Sequence, residues 1–226
     1  VGSGTPQTYS LIGFSAALDA IESEVRAIED RAAFIRNLEL PGPNWRASEG
    51  WPGEYPAGFT VARQHTRMLR AAPKLSASRT IRCTFPTGAT YHIWNPNRVR
   101  KQDLRFVSMQ ETSTFRVNVP TSVFYTDQDK RSQSMILRKG DVWKSIRYFA
   151  EGLHEAEFEG KAYEAEQNLF QNSTQIAGPD RPQLQQWLGM TCPDGRTGWL
   201  NMADTQNDER LNGPNVVEYG KASDLN

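Results

Sequence analysis

Short apolar segments separated by turn-forming residues recur between residues 80 and 200, and this pattern constrains the fold more than any other feature. Ile81, Cys83 and Phe85 alternate with polar residues before the turn Pro86-Thr87-Gly88, and residues 90–94 form a second apolar segment. Alternation with a period of two places every second side chain on one face of a strand. The sequence therefore predicts a mainly β protein, with a β-hairpin over residues 80–94.

Seven further segments of this kind follow the hairpin. They cover residues 105–109, 115–119, 123–125, 135–137, 142–143, 187–190 and 197–200. Turn-forming residues separate several of them, notably residues 138–141 and 193–195. Before the hairpin, residues 61–72 carry apolar and basic side chains and end at Pro73, so we expect a short basic helix there.

Near the start of the chain, apolar residues recur at alternate spacings of four and three, which is the 3.5-residue period of a coiled-coil seam. Pro41-Gly42-Pro43 ends this helix. The helix either packs on its own domain or pairs with another chain. Like charges would meet in a parallel homodimer, so an antiparallel or mixed pair is the expected form. The predicted interface residues of the helix are Phe14, Leu18, Ile21, Val25, Ile28 and Ile35.

The next segment, residues 41–60, is rich in proline and glycine, and we expect it to lack regular structure. Trp45, Trp51, Tyr55 and Phe59 nevertheless make it too apolar for a free linker. Such a segment usually lies over a surface and docks its rings. The sequence predicts an arm that contacts either its own fold or a neighbouring subunit through Trp45, Trp51 and Tyr55.

Three segments in the second half of the chain carry a recognisable pattern. Residues 135–142 read Met-Ile-Leu-Arg-Lys-Gly-Asp-Val, residues 187–190 read Trp-Leu-Gly-Met, and residues 194–200 read Asp-Gly-Arg-Thr-Gly-Trp-Leu. Together they resemble the bacterial SH3-like (SH3b) domain, with its Lys-Gly-Asp turn, Trp-x-x-apolar strand and closing Asp-Gly-x-x-Gly-Trp-apolar hairpin. The resemblance implies a small β-barrel over residues 113–204. Its expected core residues are Val117, Ile136, Trp143, Trp187 and Trp199.

The chain departs from the SH3b pattern in two places. The family's Asn-x-Arg-x-Gly-Pro stretch is missing, and about 40 residues separate Trp143 from Trp187 where the family has a short connection. We expect residues 150–184 to be an insertion, either a hairpin turning at Gly160 or a short helix. Because long ordered insertions are usually functional, it is predicted to be an acidic interface element. Its docking residues would be Phe158, Tyr163 and Phe170.

The net charge of zero conceals a segregated pattern along the chain. Residues 1–60 carry 4 Lys/Arg and 8 Asp/Glu, residues 61–147 carry 17 and 5, and residues 148–226 carry 5 and 13. The net charges are therefore −4, +12 and −8. Two interpretations remain open: the fold neutralises itself internally, or oppositely charged faces meet neighbouring subunits or a polyanion.

No arrangement of residues indicates a reaction. His65, His92 and His154 lack metal-ligand spacing, and two cysteines are too few for a cysteine zinc site. Cys83 lies within a predicted hairpin and is expected to be buried and structural. The sequence thus predicts no enzyme, no cofactor, no metal and no catalytic residue. It contains no apolar run of about 18 residues, so no membrane span is expected, and no signal peptide is visible.

These features favour a non-enzymatic structural subunit of a large protein assembly, whose partners are other subunits in a homo- or hetero-oligomer. SH3-like barrels with added arms resemble parts of bacteriophage tails, baseplates and necks, so a virion is the expected location by analogy of fold. One alternative is an SH3b-type module that binds cell-wall peptidoglycan. Another is a nucleic-acid-binding protein that uses the basic residues 61–147.

The expected organisation has five parts. They are a heptad helix (1–40), an arm (41–60), a basic helix with a β-hairpin (61–112), the SH3-like barrel with its insertion (113–204) and a C-terminal tail (205–226).

Overall fold

The structure is a computed structural model that describes residues 22–23, 25–26, 29–50, 58–91, 104–126, 131–149 and 151–213. The chain divides into two compact units, residues 1–38 and residues 39–226. None of the helices in the described ranges has the length and apolar character needed to cross a membrane.

The first unit contains a helix at the predicted position. Its described residues 22–23, 25–26 and 29–36 are helical, and the helix ends at residue 36, before the proline-rich segment. Of the predicted seam, Val25 is 47% exposed and Ile35 is half-buried. Phe14, Leu18, Ile21 and Ile28 lie outside the described residues.

The second unit consists mainly of antiparallel β-strands, which confirms the prediction of a mainly β protein. The strands are β1 (Trp45–Glu49), β2 (Phe59–Val61), β3 (His65–Arg70), β4 (Arg79–Phe85), β5 (Thr90–Tyr91), β6 (Leu104–Glu111), β7 (Ser113–Val117), β8 (Thr121–Thr126), β9 (Ser132–Leu137), β10 (Val142–Tyr148), β11 (Leu153–Phe158), β12 (Lys161–Glu166), β13 (Ser173–Ala177), β14 (Leu184–Thr191), β15 (Thr197–Asn201) and β16 (Leu211–Asn212). A short α-helix, Gln167–Gln171, follows β12, and a 3₁₀ turn, Met202–Thr205, follows β15.

These strands form two lobes. The second lobe is continuous, residues 113–177, and its single sheet has the order β13-β7-β10-β11-β12-β8-β9. The first lobe comes from residues 58–111 and 184–213, on either side of the second lobe in sequence. It has a small sheet with the order β16-β2-β5 and a larger sheet with the order β6-β14-β15-β3-β4. β1 pairs with β6 and forms the outer edge of the larger sheet. The second lobe is thus inserted between β6 and β14 of the first.

Both lobes have the same topology. Each has a strand (β2 or β7), a hairpin (β3–β4 or β8–β9) and a second hairpin (β14–β15 or β11–β12). A short helical turn and a closing strand (β16 or β13) follow, and the closing strand pairs with the first strand. The position of β10 in the second lobe is divided between β5 and β6 in the first, since β5 pairs with β2 and β6 pairs with β14. The strand order is otherwise the same, and every pairing is antiparallel.

Hydrogen bonds around the second turn of each lobe support this equivalence. In the first lobe the Gly88 amide donates to the Val61 carbonyl at 2.8 Å, and the Val61 amide donates to the Ala89 carbonyl at 2.9 Å. In the second lobe Gly140 and Val117 make the corresponding bond at 2.8 Å, and the Val117 amide donates to the Asp141 carbonyl at 2.9 Å. Gly88 and Gly140 have φ of +80° and +97°, a region that side chains other than glycine disfavour.

An aromatic pair follows each of these turns. Phe59 is paired in register with Tyr91, with ring centroids 5.1 Å apart, and Phe115 is paired with Trp143 at 4.7 Å. Tyr91 and Trp143 are each only 1% exposed. Each lobe is therefore organised around one aromatic residue on the strand that leaves the glycine turn.

Each lobe has its own hydrophobic core. The first contains Phe59, Leu69, Phe85, Leu188 and Leu200 among others, together with the buried disulfide Cys83–Cys192, whose Cα atoms are 5.4 Å apart. The disulfide joins β4 to the residue after β14, which confirms that Cys83 is buried and structural. The second core consists of Val117, Val123, Leu137, Trp143, Ala156, Tyr163, Ala165 and Leu169.

The expected barrel over residues 113–204 with an insertion at 150–184 differs from the observed arrangement. Residues 153–177 supply β11, β12, the short helix and β13 of the second lobe, so they complete a sheet and do not interrupt one. The segments at 187–190 and 197–200 belong to the first-lobe sheet, where β14 pairs with β6. The hairpin at Gly160 does form, with Glu159 and Gly160 at φ of 50° and 74°.

Three local predictions are also wrong. Residues 65–70 form β3 instead of a helix, because their backbone pairs with β4 in an antiparallel hairpin that buries Leu69. β4 and β5 do not pair with each other, since β5 pairs with β2; residues 92–94 lie outside the described range. Residues 45–49 of the expected irregular arm form β1, which pairs with β6.

Candidate functional site

A cleft of about 540 Å³ lies where the first-lobe sheet meets the second lobe. One side consists of residues 46–50, from β1 and the residue after it, with Ser108 and Gln110 of β6. The other side consists of residues 146–149, at the end of β10, with Glu155 of β11. The cleft therefore depends on both lobes and on β1.

β1 is the edge strand of its sheet. The Gly50 amide donates to the Phe106 carbonyl at 2.7 Å, and the Thr112 amide donates to the Asn44 carbonyl at 2.7 Å. In an antiparallel pair the residues that face the partner strand alternate. Gly50 bonds to β6 and Asn44 bonds to the residue that follows β6, so the amide and carbonyl groups of Arg46 and Ser48 also point toward β6. The amide and carbonyl of Ala47 point away from β6, toward the outer edge of the strand. No strand among the described residues pairs with that outer edge.

Polar side chains form the floor of the cleft. Arg46 is paired in register with Gln110, and Ser48 with Ser108. The Ser108 hydroxyl donates to the Gly50 carbonyl at 2.7 Å. The opposite face of the same strands is apolar, with Trp45, Val107 and Met109 buried. The side of β1 that carries Arg46 and Ser48 is therefore polar and turned to the cleft, and the exposed Glu49 at the end of the strand also lines the cleft.

Arg46 has an unusual environment. One guanidinium nitrogen donates to the Trp45 carbonyl at 3.1 Å, and no carboxylate in the described part of the chain lies within ion-pair distance of it. The Gln110 amide beside it also makes no side-chain hydrogen bond with any described residue. Two neighbouring polar groups on the cleft floor can therefore accept and donate bonds to a ligand.

The wall of the cleft combines aromatic rings with an ion pair. A register shift between Ser145 and Arg147 bends β10 just before the wall residues. Arg147 donates to Glu155 at 2.6 Å, and its guanidinium lies 4.5 Å from the centroid of the Phe149 ring. Arg147 is thus neutralised within the chain, unlike Arg46. Because these contacts are partly exposed, they contribute little to the free energy of folding. Their main effect is to fix the position of the Arg147 and Phe149 side chains.

His154 packs against the wall residue Tyr148. Its ring lies between Tyr148, at 5.0 Å, and Phe170, at 4.4 Å. Burial lowers the pKa of His154 below its usual value, so the folded state favours the neutral imidazole. The residue packs against aromatic rings, and in the described part of the chain no group of three or more His, Cys, Asp or Glu could hold a metal ion.

The residues predicted from the sequence as interface residues lie elsewhere. Trp45 is buried on the far face of β1, and Trp51 and Tyr55 lie outside the described residues. Tyr163 belongs to the second core, and Phe158 and Phe170 pack against it. These three rings therefore pack within their own lobe, with Tyr163 buried and Phe158 and Phe170 half-buried, and their predicted docking on another subunit stays a prediction.

The expected barrel-core residues are divided between the lobes. Val117 and Trp143 are in the second core, whereas Trp187 is fully buried in the first-lobe sheet. Trp199 is half-buried, and its ring lies across Gly189 on the facing strand, where an added Cβ would be 2.8 Å from it. Ile136 is 61% exposed on the edge strand β9, so its assignment to the core is wrong.

Ion pairs within the fold neutralise part of the segregated charge. Five of them join the basic residues 61–147 to the acidic residues 148–226: Arg63–Glu209, Arg67–Asp208, Arg79–Asp204, Lys144–Glu157 and Arg147–Glu155. The Arg67–Asp208 pair is the most buried, with side chains 14% and 9% exposed. The chain therefore neutralises part of its charge internally, as one of the two interpretations of the sequence required.

Comparison with models of protein families, with curated proteins and with solved structures finds no match.

The cleft was not predicted from the sequence. The alternation within residues 45–49 was a possible signal for β1, but nothing local indicates that β1 and the end of β10 lie together.

Proposed function

We propose that the chain is a non-enzymatic structural subunit of a larger protein assembly and makes its contacts through the N-terminal helix and through two SH3-like lobes. One observation carries this proposal: two lobes of the same topology meet at a cleft lined by a strand edge that pairs with no other strand in the described ranges. Edges of this kind bind protein segments by main-chain hydrogen bonds.

The SH3-like assignment applies to each lobe separately. The Lys-Gly-Asp turn that suggested the family lies in the second lobe, and the closing Asp-Gly-x-x-Gly-Trp hairpin lies in the first. Each lobe also has the counterpart of the motif seen in the other lobe. The first lobe has a glycine turn at Gly88 that corresponds to the Lys-Gly-Asp turn, and the second lobe has a hairpin at Gly160 that corresponds to the closing hairpin. The SH3b pattern in the sequence therefore takes its turn from the second lobe and its closing hairpin from the first lobe. The residues between the two motifs belong to the two lobes themselves, so neither lobe contains a 40-residue insertion.

A bacteriophage tail, baseplate or neck is the most specific form of the proposal. It rests on analogy of fold, because SH3-like units with added helices suit repeated use in such assemblies. The buried Cys83–Cys192 disulfide is compatible with it, since disulfides persist in virions and outside the cytosol.

Peptidoglycan binding is the second candidate, and the cleft itself favours it. Tyr148 and Phe149 present rings beside polar groups, an arrangement that also suits a sugar or a cross-linking peptide. Trp143 cannot take part, because it is buried. Sedimentation with purified peptidoglycan separates the two candidates.

Nucleic-acid binding loses support, since five basic side chains of residues 61–147 pair with carboxylates of the chain.

The helix seam gives a direct test of the proposed function. We expect the full chain, purified from its source, to sediment in a complex much larger than its own 25.5 kDa. The double substitution Val25→Asp and Ile35→Asp should release it as a monomer, because isolated helices are marginal in water and their apolar side needs a partner. Asp30→Ala, on the opposite side of the helix, is the matched control.

Two results would contradict the proposal. One is a wild-type chain that sediments as a monomer in every fraction. The other is a double variant that remains in the complex to the same extent as the Asp30→Ala control.

A further inference from the structure

We propose that the cleft binds an extended peptide segment of a partner protein, which adds a strand to the outer edge of β1, the edge that faces away from β6, and places a carboxylate against Arg46. The inference deepens the proposed function and rests on it, since it names how one partner of the assembly is held.

The backbone of β1 is itself part of the cleft. Five consecutive residues, 46–50, line it, although successive side chains of a strand point to opposite faces. A strand contributes every residue to a cleft only when its edge, and not one of its faces alone, borders the space. The amide and carbonyl of Ala47 face away from β6 along this edge. An added strand would pair with them as β6 pairs with the residues on either side.

The size of the edge limits the ligand. β1 has five residues, which span about 17 Å at roughly 3.4 Å per residue. A peptide of about five residues in extended form therefore covers it. Alternate side chains of such a peptide would point to the same face, so one could meet the polar floor while another two residues away meets the wall.

Charge and ring chemistry specify those two side chains. Arg46 is the cation of the floor that has no carboxylate partner in the described ranges, and the Gln110 amide lies beside it. Arg147 is already paired with Glu155. A glutamate or aspartate on the peptide would complete the environment of Arg46 with charge-assisted bonds. An apolar residue two positions away would pack on Tyr148 and Phe149 at the wall.

The test uses the full chain and fluorescein-labelled pentapeptides Thr-X-Val-Phe-Thr, in which X is Glu, Gln or Lys. Binding is measured by fluorescence anisotropy. We expect the Glu peptide to bind about tenfold or more tightly than the Gln or Lys peptide, as a charge-assisted bond implies. Arg46→Gln should abolish this preference. Arg82→Gln, which removes the same charge on the exposed strand β4, should retain it.

Strand addition has its own signature. Ala47→Pro removes an amide that faces away from β6, so the sheet should stay folded, as proline is tolerated on a strand edge, while peptide binding is lost. Ala47→Val is the control and should bind. Two peptide analogues, N-methylated at residue 3 or at residue 4, provide the same test without changing the protein. Because only alternate amides face β1, one analogue should fail to bind and the other should bind like the parent.

Several outcomes would overturn the inference. They are equal binding of the Glu, Gln and Lys peptides, equal binding of both N-methylated analogues, or no binding by any peptide. Binding of a soluble peptidoglycan fragment in their place would favour the wall-binding alternative. If no peptide binds but the chain still sediments in a large complex, only this inference fails. If the chain is monomeric throughout, the proposed function fails as well.

Discussion

Replacing Trp143 with alanine is expected to unfold the second lobe. The side chain is 1% exposed, stacks on Phe115 at 4.7 Å and meets the edge of Phe170 at 4.9 Å. Its indole nitrogen also donates to the Ser173 hydroxyl at 3.0 Å, which ties β10 to β13. Truncating a buried tryptophan typically costs about 3–5 kcal/mol, a large part of the roughly 5–15 kcal/mol that stabilises an ordinary domain.

Ile136→Ala is the matched control for this change, because the SH3b resemblance placed both residues in one core. Ile136 is 61% exposed, so its truncation should alter the free energy of unfolding by no more than about 0.5 kcal/mol. Urea unfolding followed by circular dichroism measures both variants. Equal losses of stability in the two variants would contradict the observed placement of these side chains.

Removing the Cys83–Cys192 disulfide should have the second large effect, and it should act on the first lobe. The bond closes a loop with a sequence separation of 109 residues. In the chain-entropy account, a loop of this length is worth about 4–5 kcal/mol, within a usual measured range of roughly 2–5 kcal/mol for small domains. Both sulfurs are also buried in the first core, so the double variant Cys83→Ala with Cys192→Ala loses packing as well.

Thermal unfolding of the double variant measures this loss, and wild-type protein treated with a thiol reductant is the companion sample. The reductant should lower the transition temperature of the wild-type chain toward that of the double variant, and it should leave the variant unchanged. Wild-type protein that keeps its transition temperature under reducing conditions in which free thiols are detected would contradict a stabilising role for the bond.

The individual strands were largely predictable from the sequence. Short apolar segments identified β6, β7, β10, β14 and β15, and the turn residues identified the bend at Gly140. These features are local, because each depends on residues that are near neighbours in the chain. The helix of residues 61–72 was a local error. Its apolar side chains fit a strand once β4 is present as a partner, and that partner is not visible in the segment itself.

The two-lobe arrangement was not predictable in the same way. The lobes share a topology, but few matching residues connect them, chiefly Val61 with Val117, Gly88 with Gly140 and Phe59 with Phe115. The insertion of one lobe within the other also separates β6 from β14 by 72 residues, from 112 to 183. The sequence pattern therefore joined the first half of one lobe to the last half of the other.

The cleft depends on the same long-range arrangement. Arg46 and Arg147 are far apart in sequence and look alike there, as two basic residues near aromatic ones. Only the fold distinguishes them, since Arg147 meets Glu155 and Arg46 meets no carboxylate in the described part of the chain. The difference between a structural and a candidate binding arginine thus depends on pairing between strands.

Excision of the second lobe is the most direct test of the two-lobe account. The ends of the lobe are adjacent, because a Cβ added at Gly178 would lie 2.9 Å from the Thr112 carbonyl oxygen, and the Glu111 amide donates to the Gln183 carbonyl at 3.0 Å. The measurement is thermal unfolding of the chain in which a Gly-Gly linker replaces residues 113–177. The account predicts one cooperative transition with the Cys83–Cys192 bond formed, whereas deletion of residues 150–182, which removes β11, β12 and β13, should leave the remainder of the second lobe unfolded. Two results together would contradict the two-lobe account. The chain without residues 113–177 would unfold without a cooperative transition, and the chain without residues 150–182 would still show a cooperative transition of residues 113–149.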